Sequence, residues 1–140
     1  MRISSIFLAP IFAVAALAQN VYIAAPVPNQ TVSAGSNFTV DIVRPDFQSS
    51  TQEVAVVIAI QSCNPTCWPG EALGDILYNG PYSPQVPKPN PGNLQPYQNF
   101  TVQVPSYLMG NALLTVTHVA LIGAGPIAWM EEKNVTVYVL

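Results

Sequence analysis

Charged side chains are scarce in this chain. Only 8% of its 140 residues are Asp, Glu, Lys or Arg, with four cations against seven acids. One cation, Arg2, lies at the extreme N-terminus, and the other three, Arg44, Lys88 and Lys133, are scattered. Three scattered cations build no basic patch, which argues against nucleic acid and anionic membranes as partners. Histidine occurs once, at His118, and cysteine twice, at Cys63 and Cys67. That donor set is too small for a zinc cluster, so no metal or other cofactor is expected. No segment carries a sustained 3.6-residue apolar period with a cap pair, which leaves helices out of the expected fold. A Gly-x-Ser-x-Gly nucleophile elbow is missing. Gly123-Ala124-Gly125 has the wrong length for a dinucleotide loop, and no helix pattern follows it. The longest apolar run, Ile6 to Leu17, falls short of the roughly 20 residues that cross a membrane. Low charge does not signal disorder here, because half of the residues are hydrophobic and disordered chains are apolar-poor.

What the chain does contain is one six-residue pattern, used three times. Residues 37–42 read Asn-Phe-Thr-Val-Asp-Ile, residues 99–104 Asn-Phe-Thr-Val-Gln-Val, and residues 134–139 Asn-Val-Thr-Val-Tyr-Val. Each opens with an Asn-x-Thr glycosylation acceptor and continues as a strict two-residue alternation. That period belongs to a half-buried β-strand. Phe38, Val40 and Ile42 take one face and Asn37, Thr39 and Asp41 the other, so the acceptor asparagines stand on the polar side, where a glycan fits. With Asn29-Gln30-Thr31, the expected glycosylation sites are Asn29, Asn37, Asn99 and Asn134. Asn64-Pro65-Thr66 is blocked by its proline.

The N-terminus agrees with export. Met1-Arg2, the apolar stretch Ile6–Leu17 and the small-x-small site Ala16-Leu17-Ala18 have the layout of a signal peptide over residues 1–18. Residues 19–140 then form a single domain, secreted and extracellular. In an oxidising compartment Cys63 and Cys67 pair as a disulfide. The ring is small, so it clamps a loop and contributes about 2 kcal/mol at best.

Strand-like segments run Val21–Ala25, Asn37–Val43, Gln52–Gln61, Ile76–Tyr78, Gln98–Val104, Ala112–Ile122 and Lys133–Leu140. Asn29–Ser36 reads as a turn-rich step. The Gln52–Gln61 segment is apolar on both faces, as in a central, covered strand, or one carrying an interaction patch for assembly. Six prolines between Pro81 and Pro96 exclude helix and interior strand and leave a stiff surface loop. About seven strands with long proline-rich loops describe an all-β, immunoglobulin-like or fibronectin-like sandwich.

Residues for catalysis are few. His118, flanked by apolar strand positions, reads as a structural side chain with one hydrogen-bond partner. A copper histidine brace needs His at the mature N-terminus, where Gln19 stands. Glu71 and Asp75 are the one carboxylate pair near a loop that suits a glycosidase, although nothing sets their separation. The chain is therefore expected not to be an enzyme. Aromatic residues in or beside the loops, Trp68, Tyr82 and Trp129 above all, are candidates to stack on sugar rings or anchor a protein partner. Plugging the ends of the core is their other role.

The order of several short pieces resembles the fungal necrosis-inducing secreted protein family of small effectors. They are Ala34-Gly35-Ser36-Asn37-Phe38-Thr39-Val40, Leu73-Gly74, Tyr78-Asn79-Gly80-Pro81, Asn99 to Pro105, Gly110–Gly123 and Asn134-Val135-Thr136-Val137. The resemblance implies a non-enzymatic effector associated with plant cell death. It also implies suppression of immunity by binding a host protein, namely a plant immune receptor-associated kinase. The Cys63–Cys67 loop and the 81–96 segment are longer than the family pattern. The alternative expectation is a carbohydrate- or cell-wall-binding module that uses Trp68, Tyr82 and Trp129 on wall polysaccharide.

Overall fold

The computed structural model describes residues 20–46 and 49–140. The signal-peptide reading of residues 1–18, and Gln19, lie outside the described residues. Among the described residues eight strands follow in order: β1 Tyr22–Ala25, β2 Gln30–Val32, β3 Asn37–Val43, β4 Thr51–Ser62, β5 Asp75–Gly80, β6 Tyr97–Gln103, β7 Gly110–Ile122 and β8 Ile127–Val139. They form a three-stranded sheet ordered β1-β3-β6 and a five-stranded sheet ordered β2-β8-β7-β4-β5. All neighbours are antiparallel except β2 and β8. The fold is the expected all-β immunoglobulin-like or fibronectin-like sandwich, with one strand more than the sequence pattern predicts.

Two-residue alternation places the core between the sheets. Val40, Ile42, Phe100 and Val102 face inward from the smaller sheet, and Val56, Ile58, Ile60, Leu114, Val116, Val137 and Val139 from the larger. Apolar side chains of this size gain about 1.5–3 kcal/mol each on full burial, which is the driving force for closing the sandwich.

Two strands depart from the sequence pattern. Gln30–Val32 sits in the stretch read as a turn, yet it pairs in parallel with Val137–Val139 at the sheet edge. Three residues are too few to show a period. Strand β8 begins at Ile127, six residues before Lys133, because the β7–β8 hairpin zips down to the Ile122–Ile127 pair. Trp129, Glu131 and Lys133 share the inner-face parity of Val135, and charges at inward positions hide the alternation. The β4 strand behaves as a covered strand: Val56, Ile58 and Ile60 are buried inward, and Ala59 is buried on the opposite face.

Candidate functional site

Five of the scarce charged or titratable side chains gather at one end of the sandwich. Arg44 just after β3, Glu53 on β4, His118 on β7, and Glu131 and Lys133 on β8 converge between the sheets. Cross-strand register places His118 between Val56 and Glu131. A bulge between Glu53 and Ala55 lets both Glu53 and Val56 face inward, which an uninterrupted strand forbids. His118 is 1% exposed. Its Nε2 meets the Glu53 carboxylate, and its Nδ1 lies 3.0 Å from Glu131 Oε1. Arg44 Nε stands 2.5 Å from the other Glu53 oxygen, and Lys133 Nζ 3.5 Å from Glu131 Oε2. The Val21 amide donates to Glu131 Oε1 at 2.9 Å.

Burial works against the imidazolium, but hydrogen bonds to Glu131 and Glu53 outweigh it and raise the His118 pKa to about 9. Burial likewise pushes Glu131 up, but the His118 bond and the Val21 amide leave its carboxyl below the usual range. The cluster is thus a cation between two anions, each anion also braced by a basic side chain. A general base needs a free ring nitrogen within reach of substrate. Both nitrogens of His118 are engaged and the ring is enclosed. The single hydrogen-bond partner expected for His118 is corrected to two carboxylates. Glu53 and Glu131 lie 65 and 13 residues away, and only strand register unites them.

Tyr82 closes this end and is 3% exposed. Its ring meets His118 edge-on at 5.4 Å and tilts against Phe100, while its hydroxyl donates to the Ile42 carbonyl at 3.1 Å. Tyr82 is therefore a core residue, which corrects its candidacy as a binding aromatic. A tyrosine between Pro81 and Ser83 has no periodic neighbours to mark it as core. Trp129 is half-buried, its position paired with inward-facing Ala120. Of the three candidate aromatics only Trp68 stands out to solvent, so they form no shared platform for a sugar.

The opposite end is built by loops. Residues 63–74, with Cys63 and Cys67 disulfide-bonded, fold back as a strap over the outer face of the larger sheet. Gln61 Nε2 donates to the Ala72 and Trp68 carbonyls at 2.7 and 3.4 Å. The Gly70 amide donates to Glu132 on β8 at 3.1 Å. Outer-face residues Ala59, Leu113 and Thr115 are consequently buried. The Cys63 amide donates to the Asn111 carbonyl at 2.8 Å, and the Tyr107 hydroxyl to the Asp75 carboxylate. These bonds draw three segments together, which expose Trp68 (57%), Ile76 (53%), Tyr107 (69%) and Met109 (71%). Asp75 is engaged by Tyr107, and Glu71 stands exposed on the strap.

All four acceptor asparagines are exposed. Asn37 and Asn99 lie on the outer face of the three-stranded sheet, Asn134 on that of the five-stranded sheet, and Asn29 beside β8, its amide donating to the Thr136 carbonyl at 2.7 Å. Among the described residues, no group of three or more His, Cys, Asp or Glu side chains is placed to hold a metal ion.

The fold and its two contrasting ends define a small β-sandwich with a buried ionic cluster at one end and the exposed loop residues Trp68 and Tyr107 at the other. The chain belongs to the Nis1 family, which matches over residues 16–138. Comparison with curated protein sequences gives no match. Among solved structures it is similar to the fibronectin(III)-like modules of Clostridium thermocellum CbhA. Identity there is 12% and the TM-score 0.43, over 86% of this chain and 96% of that one. It is also similar to an AA10 lytic polysaccharide monooxygenase from Streptomyces lividans. That match has 14% identity and a TM-score of 0.42, over 79% of this chain and 59% of the other.

Proposed function

We propose that this protein is a secreted effector that acts without catalysis, by binding a protein of a plant host through its disulfide-braced loop end. The observation that carries this reading is the exposed set Trp68, Ile76, Tyr107 and Met109 on three mutually bonded segments. Interface cores are enriched in Trp, Tyr and Met and poor in charge. Membership of the Nis1 family supports an effector role. The exposed sequons add to it, since four acceptor asparagines on the surface suit a protein that passes through the secretory route. A disulfide and four exposed acceptor sites favour a partner met outside the host cell over the cytosolic domain of a receptor-associated kinase.

The test is infiltration of purified residues 19–140 into leaves, scoring cell death and the oxidative burst. Wild type is compared with heat-unfolded protein and with Trp68→Ala combined with Met109→Ala. Loss of an anchor residue worth about 2 kcal/mol raises the active dose roughly 30-fold. The circular dichroism spectrum is unchanged, because both side chains are exposed. A folded protein that evokes no leaf response but is retained on insoluble chitin, glucan or cellulose overturns the reading in favour of wall binding.

A further inference from the structure

The outer face of the three-stranded sheet holds a cleft of about 400 Å³. Two adjacent cross-strand rows form it. One runs Tyr22–Val43–Tyr97 and the next Asp41–Asn99, with Ala24 at the β1 bulge beside them. Leu94, from the loop before β6, adds an exposed apolar wall. Val43 lies on the outer side of its strand yet is buried at the floor. One oxygen of Asp41 is also buried, without a hydrogen-bond partner among the described residues. Desolvation there raises the Asp41 carboxyl above its ordinary value. Tyr22, Tyr97 and Leu94 with a lone acceptor between them suit a ring with one apolar face and polar donors around its rim.

Asn99 stands on the rim of this cleft, is exposed, and opens the acceptor sequence Asn99-Phe100-Thr101. Tyr97 is two residues earlier on the same face of β6, about 7 Å away. That spacing matches the width of one pyranose ring.

We propose that the cleft is the seat of the first N-acetylglucosamine of a glycan carried on Asn99. In the linking step, Asn99 Nδ2 displaces the lipid pyrophosphate from C1 of a lipid-linked oligosaccharide donor. The N–C1 bond forms as the C1–O bond breaks, and the amide loses one proton. The sugar ring then lies against Tyr97 and Tyr22. Its N-acetyl group and hydroxyls supply the N–H or O–H donor that the Asp41 oxygen lacks within the protein. Asn37 lies at the far end of the same face, beyond the Thr39–Thr101 pair, and lines no such cleft. The two sites therefore differ: a glycan on Asn99 is packed and one on Asn37 is free. This inference rests on the reading of the chain as secreted.

The experiment expresses the full chain in a eukaryotic secretory host and trims its glycans to a single N-acetylglucosamine with an endoglycosidase. Glycopeptide mass spectrometry reads occupancy, and thermal unfolding is compared with Thr101→Ala, which abolishes the sequon. Expected are an occupied Asn99 and a melting temperature higher by a few degrees than that of Thr101→Ala. In protein carrying Tyr22→Ser and Tyr97→Ser, Asn99 stays occupied and the increment disappears. The same increment in that double variant overturns the seat. So does exported protein with Asn99 bare, or glycosylated protein that still binds added chitotriose through the two tyrosines. Failure of export overturns the secreted reading itself and is scored separately, by the absence of protein in the medium.

Discussion

His118 shows how a single residue type can be misjudged by frequency. A lone histidine among apolar strand neighbours is ordinarily a satisfied core side chain, and this one is satisfied. It is satisfied as a cation, however, by Glu53 and Glu131 together. Truncating one partner of a buried ion cluster leaves the other charges without compensation, typically at a cost of about 3–5 kcal/mol. His118→Ala is accordingly expected to lower the urea midpoint by an amount equivalent to about 3 kcal/mol or more. The double variant Glu53→Gln with His118→Ala should lose less than the sum of the two single changes, because the shared pair is counted once. Additive losses would show that the two side chains do not couple. Nothing near His118 in the sequence announces these partners. Its buried position is legible from the parity of β7, and its charge is not.

Elements carry a different lesson. The three Asn-x-Thr strands are legible because each alternates strictly, and all three match β3, β6 and the last part of β8. The first half of β8 is hidden because it presents Glu131 and Lys133 inward, where a pattern reader expects apolar residues. The bulge in β4 is hidden for a related reason: Val54 is apolar and looks like one more alternating position, whereas it is exposed and shifts Glu53 onto the inner face. The strap depends on Gly74, whose φ is +76°. A Cβ at that position would collide with the Ile60 carbonyl and come within 2.8 Å of Gln61 Cα. The backbone there is near its left-handed minimum and cannot yield without lifting the strap. Gly74→Ala is expected to destabilise the domain by at least about 2 kcal/mol in chemical unfolding and to speed proteolysis within residues 64–73. Wild-type resistance in the variant would mean that the strap is held by the disulfide alone.

At the scale of the whole molecule the ionic cluster links stability to pH. His118 faces Glu53 from β4, Glu131 and Lys133 from β8, Arg44 beyond β3, and Tyr82 from the proline-rich loop. Its pKa rises from 6.5 unfolded to about 9 folded. The stability it contributes is therefore complete below pH 6.5 and is lost as pH rises through 9, in total about 3 kcal/mol. Glu131 is shifted the other way, so its contribution is present above pH 4.5 and is lost as pH falls through its lowered folded value. The raised Asp41 carboxyl opposes that acid loss, because it takes up its proton first in the folded state. A stability maximum between about pH 4.5 and 6.5 follows, with a decline across pH 6.5–9 that His118→Ala abolishes. Denaturant titrations at fixed pH values measure it. A profile flat from pH 5 to 9 would place a neutral imidazole in the cluster.

Local alternation, proline placement and the cysteine pair determined by themselves that this chain is an all-β sandwich with long loops and a clamped strap. These features act over a few residues, so they can be read in order along the chain. Tertiary structure alone decided that Tyr82 is core and that Trp68 shares its end of the molecule with Tyr107 and Met109. It also decided that five scattered charged or titratable residues form one cluster. Each of those outcomes depends on strand register and on bulges at Glu53–Ala55 and elsewhere, which bring together positions tens of residues apart. A one-residue slip in any of them would reverse the face on which a side chain stands.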